Sequence, residues 1–114
     1  MRYDLLLHVD TDDASLKTAL RNAENYAAAG VSEPYAIAFV LNARAVTLVR
    51  AGACAQQEAI TRLHGQGVRF FVCQNALREQ GLTPADLIPE AETVPAGIVH
   101  IVQLQHQGYA YVKP

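Results

Sequence analysis

Three short apolar runs without alternation do most to limit the fold. Tyr3–Val9, Tyr35–Leu41 and Val68–Val72 each read as a strand carrying hydrophobic side chains at consecutive positions. A strand with one wet face alternates apolar and polar residues, so a run that does not alternate needs cover on both faces. The intervening segments have helical spacing. Leu16, Ala19, Leu20, Ala23 and Ala27 form one apolar face, with Asp12 or Asp13 placed to cap its start and Gly30 to end it. Ala59, Ile60 and Leu63 form a second face over residues 55–64, closed by Gly65 and Gly67. Asn42–Gly52 follows its strand with almost no turn chemistry and is read as a short helical segment. Cys73–Gln80 is one or two helical turns stopped at Gly81, and Thr83-Pro84-Ala85-Asp86 has a cap followed by a proline in the first helical position. A short strand, Glu92–Val94, precedes a last helix from Pro95 to Gly108 with Ile98, Ile101, Val102 and Gln105 on one stripe. Tyr109–Val112 is a terminal strand. Strand and helix alternate along the chain, which predicts an α/β fold with a mostly parallel sheet between two helical layers.

At 114 residues and 51 % hydrophobic content the chain has material for one packed core, so a single domain over residues 1–114 is expected and disorder is excluded. Lys and Arg number 9 against 11 Asp and Glu, for a net charge of -2, with no basic stripe, so no nucleic-acid partner is expected. No apolar run approaches the roughly 18 residues of a membrane span. The apolar block at the N-terminus stops at Asp10, Asp12 and Asp13 without a small-residue cleavage site, so the expected compartment is the cytoplasm. There Cys54 and Cys73 are expected as free thiols. No Cys-x-x-Cys or His-x-x-x-His spacing is present, and neither a metal nor an organic cofactor is expected.

Parallel sheets collect ligands at the carboxyl ends of their strands, here after Val9, Leu41, Val72 and Val94. Cys73 stands at one such end, where a following helix start favours a thiolate; the alternative is a small buried hydrophobe. His8 and Asp10 flank the end of the first strand, where a base can face a shared cleft. Asn42 and Arg44, after the second, are candidates for holding an anion, against plain turn chemistry. Asn75, two residues beyond Cys73, is a further candidate binding residue. Cys54 has no comparable placement, and His64, His100 and His106 are expected to be solvated. The glycines form no phosphate loop after the first strand. A receiver-like reading of the acidic cluster fails because Cys73 occupies the place of the phosphoacceptor.

The run Val68-Arg69-Phe70-Phe71-Val72-Cys73-Gln74-Asn75-Ala76-Leu77-Arg78-Glu79-Gln80-Gly81 resembles the strand–cysteine–helix signature of the DsrE/DsrF-like family. Asp86-Leu87-Ile88-Pro89 and the stretch from Val94 to Pro114 are similar to its small single-domain branch. The resemblance implies a three-layer α/β/α domain with a five-stranded parallel sheet, assembled as homotrimers or homohexamers. It implies a sulfur relay in which Cys73 carries a persulfide between donor and acceptor proteins. Asn42-Ala43-Arg44-Ala45 aligns with a turn that often reads Asn/His-Gly-Pro-Ala, so Ala-Arg replaces Gly-Pro beside the cysteine. The competing expectation is an oligomeric module that binds a small anion through Arg44, or an accessory subunit.

Overall fold

The computed structural model describes residues 1–114. The strands are β1 (Leu5–Val9), β2 (Ile37–Leu41), β3 (Arg69–Cys73), β4 (Ala91–Val94) and β5 (Ala110–Val112). The helices are α1 (Asp13–Ala28), α2 (Gln57–Gly65), α3 (Gln74–Glu79) and α4 (Gly97–His106), with 3-10 segments at Ala43–Val49 and Pro84–Asp86. The sheet order is β4-β3-β2-β1-β5 and every neighbouring pair is parallel. The expected α/β class and five-stranded sheet are therefore present. No helix is long and apolar enough to cross a membrane.

Element ends follow local chemistry. Asp12 caps α1 by accepting from the Ser15 N–H at 3.0 Å. The helix ends at Ala28, before Gly30, which takes a left-handed φ of 73° in the turn beyond. Thr83 and Asp86 form a reciprocal capping box around Pro84. Cys73, expected to open a helix, is instead the last residue of β3, and α3 begins one residue later.

The two faces of the sheet are covered unequally. Leu5, Leu7 and Val9, with Ile37, Phe39, Leu41, Phe70 and Val72, pack into the larger core beneath α1, α2, α3 and the first 3-10 segment. Phe39 and Phe70 meet there at 4.6 Å between ring centroids. The other face carries a small cluster, Leu6, Ala38, Val40 and Phe71, covered by Ile101 and Leu104 of α4 alone. The stripe expected on this helix is corrected. Gly97, Ile101 and Leu104 turn inward, while Ile98 and Val102 are exposed. The helix starts at Gly97, which lies against the sheet, and the inward positions are those one and two turns on from it. His100 is also corrected. It is half-buried with its ring 4.2 Å from that of Phe71, and burial lowers its pKa.

Candidate functional site

The site is built where four strands end on the α4 side. Leu41 pairs with Val72, so the next residues, Asn42 and Cys73, are neighbours across β2 and β3. Cys73 has its own pair, Val94, on the other flank. Its side chain continues the Phe71 side of the sheet and is 7 % exposed. Gly97 closes this corner. A Cβ on Gly97 would lie 3.1 Å from the Cys73 Cβ and 3.2 Å from the Asn42 Cβ, tighter than most side-chain contacts. Glycine here lets the first turn of α4 approach the cysteine. Two helices thus begin at Cys73: α3 directly after it in sequence and α4 across from it in space. Both present backbone N–H groups that lack intrahelical acceptors.

His8 interrupts the otherwise apolar β1 and is buried on the α4 side. Its Nε2 lies 2.8 Å from Asn42 Oδ1 and its Nδ1 lies 2.6 Å from the Tyr111 hydroxyl. Both ring nitrogens are thereby satisfied, which is what permits a polar ring in this position. Tyr111 reaches the site because β5 pairs with β1, placing Tyr111 opposite Leu6 and on the same side as His8. At the rim, Lys113 Nζ meets Asp10 Oδ1 at 2.7 Å. That hydrogen bond to Lys113 is the main reason the Asp10 carboxyl is held below its ordinary range.

Of the residues expected in the site, Cys73, Asn42 and His8 come together. Arg44 is exposed and lies to the side, its Nε donating to the Thr11 carbonyl at 3.3 Å and pairing with no carboxylate. Asn75 is exposed on α3, where its Oδ1 accepts from Arg78. Cys54 is half-buried against the larger core, free rather than bridged, and burial raises its thiol pKa. Gly97 and Tyr111 were not expected. Gly97 follows a proline at a strand end, a signal for close backbone approach, whereas Tyr111 depends on a long-range strand pairing. Two cavities of about 200 Å³ open on the neighbouring elements, one lined by Gln74, Leu77, Arg78 and Leu82, the other by Val94, Ala96, Val99 and His100, and Cys73 lines neither. No group of three or more His, Cys, Asp and Glu side chains is arranged to hold a metal ion.

The molecule is thus a parallel α/β protein with a single cysteine set at a strand end among polar side chains from neighbouring strands. The DsrE/DsrF-like family model matches residues 4–114, and the chain belongs to that family. The chain is similar to the protein of unknown function MTH1491 from Methanobacterium thermoautotrophicum, with 32 % identity and a TM-score of 0.90 over 98 % of this chain and 99 % of that one. The fold is shared with the ychN protein of E. coli, at 17 % identity and a TM-score of 0.79 over 100 % of both chains. It is shared too with the conserved protein of unknown function BT1422 from Bacteroides thetaiotaomicron, at 16 % identity and a TM-score of 0.70 over 97 % and 94 %. No curated protein matches the chain significantly.

Proposed function

We propose that the chain is a sulfur carrier that accepts a persulfide sulfur on Cys73 and passes it to an acceptor thiol. The observation that carries this reading is the placement of Cys73, the last residue of β3, where α3 and α4 both begin. Helix starts favour an anion, and both the thiolate nucleophile and the persulfide product are anionic. Membership of the DsrE/DsrF-like family supports the same chemistry. Cys54 lacks such a setting, and its raised pKa disfavours a competing nucleophile.

The carrier works as a homo-oligomer in this reading. The outward side of α4 exposes Ile98, Val99 and Val102, and Tyr111 of β5 is exposed on the same side of the sheet. An apolar stripe of this kind is what a second copy would cover. Donor and acceptor are proteins or small thiols that reach the cysteine from the carboxyl edge. The test is the intact mass of the native protein after exposure to polysulfide and then to glutathione. The expected result is gain of one sulfur atom and its subsequent loss, with return to the starting mass. Uptake only after denaturation would overturn the reading.

A further inference from the structure

We propose that Tyr111 and His8 are positioning residues that hold Asn42 so that its amide N–H group donates to the outer sulfur of a persulfide on Cys73. This deepens the sulfur-carrier reading and rests on it. A neutral imidazole has one donor and one acceptor nitrogen. The Tyr111 hydroxyl lies 2.6 Å from Nδ1, and because Asn42 Oδ1 beside Nε2 can only accept, Nε2 carries the ring proton and the hydroxyl donates to Nδ1. Nε2 then donates to the atom it faces at 2.8 Å, the carbonyl oxygen of Asn42. The amide is thereby fixed with Oδ1 toward β1 and its NH₂ group away from β1. The neighbour of Asn42 on that other side is Cys73, on β3. One polar line thus runs along the carboxyl edge from β5 through β1 to Asn42, the residue beside Cys73.

The only side-chain hydrogen bond of Asn42 is the one to His8, so the resting thiol takes none from it. A persulfide extends the side chain by a second sulfur about 2 Å beyond the first. Loading proceeds by attack of the Cys73 thiolate on the outer sulfur of a donor R–S–SH. The donor S–S bond breaks, a new S–S bond to Cys73 forms, and the donor leaves as R–S⁻. Loss of the remaining proton to solvent gives Cys73–S–S⁻, and sulfur has moved without net oxidation. The Asn42 N–H group then meets an anionic outer sulfur at a position that no atom of the unloaded side chain occupies, so the network acts on the loaded form.

The experiment compares wild type, Tyr111→Phe, His8→Leu and His8→Gln. Each protein is loaded with sodium tetrasulfide, and the loaded fraction and the rate of sulfur loss to glutathione are read by intact mass. Iodoacetamide alkylation of the unloaded protein and the melting temperature are measured alongside. Tyr111 is 40 % exposed on an edge strand, so Tyr111→Phe tests the network with little risk to folding. Tyr111→Phe and His8→Leu are expected to hold sulfur about three- to tenfold less well, as for one lost hydrogen bond, with unchanged alkylation of the resting thiol. His8→Gln places an amide N–H near the Nε2 position and is expected to retain wild-type loading. Wild-type loading and release in Tyr111→Phe would overturn the positioning role. An equal loss of resting-thiol alkylation in that variant would overturn it too, since the effect would then be on packing around Cys73. Failure of wild type itself to load would remove the carrier reading beneath it.

Discussion

Ala43 and Gly97 show how single residues shape the edge around Cys73. Ala43 takes φ 51°, a left-handed conformation that costs a residue with a Cβ about 1–2 kcal/mol. Glycine adopts this conformation without that penalty. Ala43→Gly is expected to stabilise the protein by about 0.5–1 kcal/mol, the relief being partly offset by greater freedom in the unfolded chain; urea unfolding measures it. Gly97 works in the opposite sense. A methyl group there meets Cys73 and Asn42 at 3.1 and 3.2 Å. Gly97→Ala is expected to cost about 1–3 kcal/mol by overpacking, read by the same unfolding experiment. A neutral effect would mean that α4 can move off the cysteine freely.

At the scale of elements, the buried Glu90 joins α2 to the start of β4 without a cation. Its carboxylate accepts from Thr61 Oγ1 at 2.7 Å and from Gln57 Nε2 at 3.2 Å. The Thr61 hydrogen bond is the largest cause holding its pKa below the ordinary value of 4.5, with burial opposing. A carboxyl with a lowered folded pKa stabilises the fold above its unfolded pKa, and that contribution fades as pH falls through the folded one. Thermal stability is therefore expected to drop on acidification below about 4.5, and Glu90→Gln to flatten that part of the profile while lowering stability at neutral pH. An unchanged acid profile in the variant would contradict this. The sequence shows some elements more plainly than others, for reasons these same residues supply. β1, β2 and β3 are legible because both faces are buried and their runs are continuous. The inward side of α4 is not, because Ile98, Val99, Ile101, Val102 and Leu104 are apolar nearly all round and only contact with the sheet selects it. Cys73, His8 and Asn42 are legible as strand-end residues. Tyr111 enters only through the pairing of the last strand with the first, a long-range choice that no local pattern carries.

For the whole molecule, the thin cover on one face of the sheet and the exposed apolar side of α4 are the features on which the proposed homo-oligomer rests. Light scattering at micromolar concentration is expected to give a trimer or hexamer, and Ile98→Glu, placing a charge where 62 % of the isoleucine is exposed, is expected to shift it toward monomer. A monomeric wild type would contradict the assembly. The proposed carrier chemistry reduces to one sulfur atom and one cysteine, and the most direct measurement locates that atom. Native Cys54→Ser and Cys73→Ser proteins, each confirmed to melt like wild type, are treated with polysulfide and weighed intact. Sulfur on Cys54→Ser and none on Cys73→Ser is the predicted result. Equal loading of the two variants, or loading of Cys73→Ser alone, would contradict the account.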